Sequence, residues 1–340
     1  MRLTVIVPAR NEADVLRPCL ESLLAQSEPG FALAADWELL VVDDGSTDET
    51  RSIALGLPGV TLLDPNPLKP GWTGKANAVW TAAGKSRGEW LLFTDADTIH
   101  MAGNLARALH EAQHAQVAML SYSPRQLVTG FWQRALMPLI FSELALAYPP
   151  AKVSDPSSRL AAANGQFLLV ERAAYFHVGG HSAVAGSLLE DVDLAFLLKR
   201  RKYPIRFRYA PDAVSTRMYR TFRSMIEGWT KNLARLFALP LMMAGWKLLD
   251  LLLIVGLPLL VWHFLALPVP RYALAAVWLR VLWRFYARTA KSNFPPVDCA
   301  LSVFALPLFC GLLAASWWQH TVRSKVEWKG REYSTAKPRA

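Results

Sequence analysis

The sequence predicts an α/β domain built on a doubly wound, mostly parallel sheet, followed by an apolar helical region that enters a membrane. Three observations lead there. Short β-branched runs alternate with helical stretches over the first 130 residues or so, successive apolar runs stop abruptly at carboxylates, and residues 248–318 become mostly Leu, Ala, Val, Trp and Phe. Strand–helix alternation at these lengths is the pattern of a parallel sheet covered by helices. A shift to near-continuous apolar sequence marks a domain boundary. The expected division is 1–232 as the mixed domain, 233–320 as transmembrane or interfacial helices, and 321–340 as a basic cytoplasmic tail.

Residues 3–8, Leu-Thr-Val-Ile-Val-Pro, form the first strand, and an amphipathic helix follows to Gln26, with Asn11 and Asp14 available as N-terminal caps. The second strand, 38–42, stops at Asp43-Asp44-Gly45-Ser46-Thr47-Asp48. A third is expected at 60–63, and a loop carrying Gly71, Gly74 and Lys75 leads into a helix over 76–83. The fourth, Leu91-Leu92-Phe93-Thr94-Asp95-Ala96-Asp97-Thr98, brings two carboxylates one residue apart to the sheet edge. Strand alternation puts residues i and i+2 on one face, so Asp95 and Asp97 can address one object. Ligands in such sheets bind beyond the carboxyl ends of the strands, where Asp43, Asp44, Asp95 and Asp97 all fall.

Composition narrows the classes. The chain has 340 residues, is 53% hydrophobic and contains 13 Trp, too apolar for a purely soluble enzyme of this size. Its three cysteines, Cys19, Cys299 and Cys310, lack metal-ligand spacing and imply no disulfide framework. The apolar run Leu3–Ala9 is too short and wrongly flanked for a signal peptide, so the first domain is expected in the cytoplasm. Net charge is +10, and eleven Lys or Arg lie between Lys199 and Arg235. Placed just ahead of the apolar region, this collar favours an anionic membrane surface or phosphates over nucleic acid as its partner.

Pro8-Ala9-Arg10-Asn11-Glu12, Asp43-Asp44-Gly45-Ser46-Thr47-Asp48, Gly74-Lys75-Ala76-Asn77-Ala78, Asp95-Ala96-Asp97 and Leu189-Glu190-Asp191 resemble, in order and spacing over about residues 3–232, the motifs of inverting family 2 glycosyltransferases. The resemblance implies a Rossmann-like GT-A fold, a nucleotide-sugar donor, a divalent cation (Mg2+ or Mn2+) held by the Asp-X-Asp element, and an acidic base in the Glu-Asp motif. On that reading Asp97 is the principal metal ligand, while Asp95 reaches the ribose or shares the metal. Asp43 or Asp44 accepts from the base imide, Lys75 pairs with phosphate, and Pro8, Arg10, Glu12 and Glu190 complete the donor-binding motifs. Elementary chemistry agrees, because a hard cation on one or two carboxylates plus phosphate oxygens neutralises a departing diphosphate.

The second half of the domain carries the acceptor chemistry. Residues 117–122 read as a strand; 131–141, aromatic and aliphatic, read as a core or interfacial helix. Asn164-Gly165-Gln166 and the strand to Val170 resemble the family's donor-sugar wall, which assigns Gln166 to the donor. Displacement with inversion needs a base at the acceptor hydroxyl, and Asp191 is chosen for it. A structural role in the first turn of a helix competes for Asp191, and His181 is a rival base. Arg220-Thr221-Phe222-Arg223-Ser224 occupies the place of the Gln-X-X-Arg-Trp motif of processive synthases and departs from it, which argues against polymer synthesis; Arg220 and Arg223 stand as diphosphate contacts or lipid-headgroup contacts.

Two strong spans follow, 248–267 and 297–318. Residues 272–287 are apolar but carry Arg280 and Arg284, placing that segment at the interface, inside a bundle or along an acceptor groove. The basic tail is expected in the cytoplasm. A hairpin of 236–246 with 248–267 would return the arginines to that side as well. Trp328-Lys329-Gly330-Arg331-Glu332-Tyr333 resembles the closing motif of membrane-tethered relatives. Within the family the chain resembles bacterial hopanoid- or carotenoid-associated enzymes. The expected activity is transfer of one sugar to a lipid acceptor by a multi-pass protein of the cytoplasmic membrane, with its catalytic domain on the cytoplasmic side. The alternatives are a polyprenyl-phosphate sugar synthase, a processive synthase and a non-enzymatic membrane scaffold.

Overall fold

A computed structural model describes residues 1–263, 268–323, 325–328 and 331–334. The chain divides into two compact units, Met1–Leu127 with Tyr148–Met218, and Val128–Ala147 with Tyr219–Ala340.

The first unit begins β1 (Leu3–Ala9), α1 (Ala13–Leu24), β2 (Trp37–Asp43), α2 (Thr50–Leu55), β3 (Val60–Leu63), α3 (Gly74–Lys85), β4 (Trp90–Phe93), β5 (Thr98–His100), α4 (Asn104–His114) and β6 (Met119–Gln126). The chain then passes through α5 (Gly130–Ala147), which belongs to the second unit, and returns as α6 (Pro150–Ser154), β7 (Leu168–Glu171), α7 (Arg172–His177), α8 (Glu190–Arg200) and β8 (Ile205–Thr216). One eight-stranded sheet results, in the order β3-β2-β1-β4-β7-β6-β8-β5. Its two faces are both covered. Val5, Leu39 and Val41 pack with Leu16, Leu20 and Leu109 of α1 and α4 on one side. Ile6, Leu40 and Val42 pack with Val79, Tyr175 and Leu198 of α3, α7 and α8 on the other. Burial on both faces is why these strands read as unbroken apolar runs rather than alternating ones.

The sheet is mixed rather than mostly parallel. Strands β1, β2, β3 and β4 pair in parallel, as do β6 and β8, but β7 is antiparallel to both β4 and β6, and β5 to β8. The cause is topological. The chain leaves β6 at the edge where β4 ends and enters β7 from that same edge, so no crossover reverses its direction. This delivers residues 164–167 to the edge that already holds the ends of β1, β2 and β4.

A second correction concerns Asp95 and Asp97. They do not extend a strand: β4 stops at Phe93, and Asp95–Asp97 form a turn closed by the Thr98 N–H and hydroxyl on the Asp95 carbonyl, at 3.3 and 2.8 Å. Thr94, Ala96 and Thr98 point inward, so the two carboxylates still share the accessible side. Nor is α1 capped locally. Its N-cap, Glu12, makes no side-chain cap bond; Asp48 accepts the Ala13 N–H at 3.0 Å and Thr50 the Glu12 N–H at 2.8 Å, both from the loop after β2.

The second unit contains α5, α9 (Phe222–Leu236), α10 (Pro240–His263), α11 (Pro268–Thr289), α12 (Pro296–Leu301) and α13 (Leu306–Trp318), with a β9–β10 hairpin (Lys325–Trp328, Arg331–Ser334). Two segments, Pro240–His263 and Pro296–Arg323, are long and apolar enough to cross a membrane. No hairpin forms at 236–267, because α10 runs unbroken through Trp246 and Leu248. Lys329 and Gly330 of the closing motif, and the basic tail from 335, lie outside the described residues.

Within this unit polarity is inverted. Helix α10 turns Leu252, Leu259 and Trp262 outward, at 61, 66 and 75% exposure, and buries Lys247 and Asp250. Lys247 Nζ meets Glu143 Oε1 at 2.6 Å, and Arg288 meets the same carboxylate through Nε at 2.8 Å and Nη2 at 2.5 Å.

Candidate active site

The edge formed by β1, β4 and the approach to β7 holds a small cavity lined by Pro8, Lys75, Val79, Phe93, Thr94, Asp95, Gly165, Leu168, His181, Glu190 and Asp191. Lys75 is placed by the start of α3, where Thr73 caps the Ala76 N–H at 3.1 Å. Its Nζ bridges Asp95 Oδ1 and Glu190 Oε1, both at 2.8 Å. Burial acts to lower the Lys75 pKa, but Asp95, Glu190 and Asp191 together outweigh it and hold the ammonium charged well above the ordinary lysine range.

Asp191 sits in the first turn of α8. Its Oδ2 accepts the Gly165 N–H at 2.7 Å and its Oδ1 the Val192 N–H at 2.8 Å, so the carboxylate is fixed from two sides. Burial raises its pKa and adjacent Glu190 raises it further, against Lys75 and the two N–H donors, to about 6. A carboxyl poised near neutrality and facing a cavity is suited to taking up a proton. Gly165 is required here, since a Cβ would stand 3.0 Å from Lys75 Nζ and 3.5 Å from Asp191 Oδ2.

The ends of β1 and β2 form a second cluster. Asp43 is buried and accepts the Ser46 N–H at 3.0 Å, with Arg51 Nη1 at 3.5 Å. Asp44 pairs with Arg10 at 3.6 Å; burial raises its pKa, Arg10 opposes this and Asp43 adds to it. The two motif loops interlock, because Asn11, at φ 52°, accepts the Thr47 N–H at 2.8 Å and donates its own N–H to Ser46 at 3.0 Å. Glu12 heads α1 beside this junction.

Comparison with known proteins identifies the unit. The model of the family described as Glycosyl transferase family 2 matches residues 4–168. Two 4,4'-diaponeurosporenoate glycosyltransferases of Staphylococcus aureus, from strains MRSA252 and USA300, are 27 and 26% identical over 98% of this chain and 89% of theirs. The chain is a family 2 glycosyltransferase. Its fold is GT-A: the mannosyltransferase PcManGT of Pyrobaculum calidifontis, solved with GDP-Man and Mn2+, superposes with a TM-score of 0.54 at 21% identity, covering 94% of this chain and 86% of that one.

In this glycosyltransferase Pro8, Lys75, Asp95, Glu190 and Asp191 converge on one cavity, as the sequence leads one to expect. Gln166 does not line it. The residue is buried, its amide nitrogen lies 3.3 Å from Thr216 Oγ1, and its amide oxygen accepts from Gln126 at 3.3 Å. Arg220 and Arg223 fall in the second unit at the head of α9, where Arg223 pairs with Glu227 at 2.8 Å. His181 lines the cavity but is buried; its Nδ1 bonds Tyr175 Oη at 2.8 Å, and burial lowers its pKa to about 4, leaving it neutral. Gly165 and Thr94 escaped the sequence reading. Thr94 supports the site by donating its hydroxyl to the Gln166 carbonyl at 2.8 Å.

A divalent cation can be tested against the donor set. Among the described residues no cluster of three or more His, Cys, Asp or Glu builds a protein cage. Two carboxylates on one turn suit a hard cation that completes its shell with phosphate oxygens and water, as Mg2+ does with nucleotide substrates.

Proposed function

We propose that this glycosyltransferase moves a single sugar from a nucleotide-sugar donor to a lipid acceptor with inversion, at a membrane. The observation that carries the proposal is Asp191, a carboxylate fixed by two backbone N–H groups, facing the cavity and pushed up to about 6. The acceptor hydroxyl attacks the anomeric carbon, forming the new C–O bond as the bond to the donor phosphate breaks; the nucleoside diphosphate leaves and the hydroxyl proton passes to Asp191.

Asp97 and Asp95 would hold Mg2+ or Mn2+, which supplies positive charge to the departing diphosphate. The site's own residues do the remainder. Lys75 keeps Asp95 and Glu190 apart and offers its ammonium to phosphate, while Asp43, Asp44 and Arg10 form the nucleoside end. Pro8 and Glu12 hold the β1 loop in place, and Gln166 stiffens the approach to β7. Arg220 and Arg223 serve phosphate or headgroup contacts.

The lipid acceptor is supported by the relatives' name, a carotenoid acid glycosyltransferase, and by the outward leucines of α10, the surface expected of a helix solvated by acyl chains. On this reading Pro240–His263 and Pro296–Arg323 cross the cytoplasmic membrane, and the sheet unit lies on the cytoplasmic side.

The test is incubation of the detergent-solubilised full chain with labelled nucleotide sugars, an isoprenoid lipid extract and Mn2+. The expected product is an organic-extractable lipid carrying one sugar of inverted anomeric configuration, lost in Asp97→Ala and Asp191→Asn. Label found only in long polysaccharide, or full turnover by Asp97→Ala, overturns the reading.

A further inference from the structure

Helix α11 carries Arg280, Arg284 and Arg288 four residues apart, hence along one face. They flank the packed ridge of Val281, Phe285 and Thr289, which are at most 7% exposed. Two of the arginines are held from behind. Arg288 forks onto Glu143, a side chain 1% exposed and also bound by Lys247 at 2.6 Å, and Arg284 binds Asp250. Arg280 lies over the ring of Trp283, 4.6 Å from its centroid.

The outer edges of these guanidiniums stay open: the Arg284 and Arg288 side chains are 55 and 46% exposed although their carboxylate partners are buried. Charge does not balance within the group. Four cations, Lys247, Arg280, Arg284 and Arg288, meet two carboxylates, Glu143 and Asp250, leaving an excess of two positive charges beside the outward-leucine helix α10. Unbalanced charge in an apolar setting is costly, and ionisable side chains kept there mark a site. The buried carboxylates fix the orientation of Arg284 and Arg288 before any ligand arrives, so the forks present donors without a further ordering cost.

We propose that the Arg280–Arg284–Arg288 face of α11 is a binding site for the oxyanion head of a membrane lipid, phosphate or carboxylate, with Trp283 against its upper chain. The inference rests on the membrane reading given above. Phosphate would come from a resident anionic phospholipid and carboxylate from an acidic lipid acceptor.

The experiment uses the full chain in neutral detergent, supplied in separate arms with phosphatidylglycerol, palmitate or phosphatidylcholine, and counts retained lipid by native mass spectrometry. Membranes are first washed with carbonate. Release of the protein into the soluble fraction refutes the membrane reading and the site together. In retained protein, phosphatidylglycerol or palmitate is expected to outcompete phosphatidylcholine, the better of the two naming the source. Each arginine removed should weaken retention about fivefold. Arg280→Gln is the principal variant because its described contact is a surface ring and folding should survive; Arg280→Gln/Arg284→Gln extends the series, and Arg280→Lys should restore most of the retention. Equal retention of all three lipids, or of the preferred lipid by wild type and Arg280→Gln, overturns the site while leaving the membrane reading intact.

Discussion

The two units solve opposite problems with the same side-chain chemistry. In the sheet unit Val5, Leu39 and Val41 are buried and the acids gather at strand ends. In the helical unit Glu143 and Lys247 are buried while Leu252, Leu259 and Trp262 face outward. A core is whatever the surrounding solvent rejects. Water rejects hydrocarbon, which packs the sheet at about 1.5–3 kcal/mol per large side chain; acyl chains reject charge, which drives ion pairs inward.

The largest effect expected bears on the sheet unit's chemistry. Asp191→Asn should lower turnover by about 10²–10⁴-fold, leaving nucleotide affinity nearly unchanged by calorimetry. Wild-type rates should rise with pH and level off above about 6, the value to which burial and Glu190 bring this carboxyl. Stability should move the other way. A carboxyl whose pKa is raised on folding binds its proton more tightly in the native state, so stability declines as pH climbs from about 4 to about 6 and stays lower beyond. Asp191→Asn should therefore melt higher than wild type at pH 8 and with it at pH 4; a lower melting point at pH 8 would make Asp191 a structural helix-start acid.

Next is the helical unit's inverted core. Glu143→Ala strands Lys247 and half of Arg288's hydrogen bonding, at a cost of about 3–5 kcal/mol. Detergent-solubilised protein should lose much of its thermal stability; an unchanged melting point would mean the pairs are not desolvated, and the contrast between the units would fail. Leu252→Lys, on the outward face, should cost roughly 2.5–3.5 kcal/mol of membrane insertion, read as a shift to the soluble fraction. If that face meets water instead, the change improves solubility at no cost. The smallest effect belongs to Asp48→Ala, which removes caps from Ala13 and Thr50 and should cost about 1–2 kcal/mol in the sheet unit.

Legibility in the sequence divides along the same line. The strands that carry Pro8, Asp43 and Asp95 announce themselves because burial on both faces leaves a continuous apolar run that a carboxylate can end sharply. Lys75, Glu190 and Asp191 are visible as ordered motifs. Gly165 is not, because its worth depends on a carboxylate 26 residues away. The mixed direction of the sheet is hidden too, since nothing local in 168–171 records the edge from which the chain enters. In the helical unit Asp250 and the α11 arginines read as blemishes in apolar spans. Their partner Glu143 is 145 residues from Arg288, beyond any periodicity.

The chain passes between its two units more than once, and this constrains how it can be made and cut. Helix α5 is spelled between β6 and β7 yet belongs with the segment beyond residue 219. During synthesis the sheet cannot close until β7 and β8 have emerged, and by then an 18-residue apolar helix has been exposed with none of its later partners yet made. Ending the chain at Met218 should consequently yield an aggregating product, because Glu143 is left without Lys247 and Arg288. Replacing 128–147 by a short Gly/Ser linker in that truncation should recover soluble protein, measurable by gel filtration. A boundary chosen at a single point in the sequence would miss this, because the helical unit begins twice.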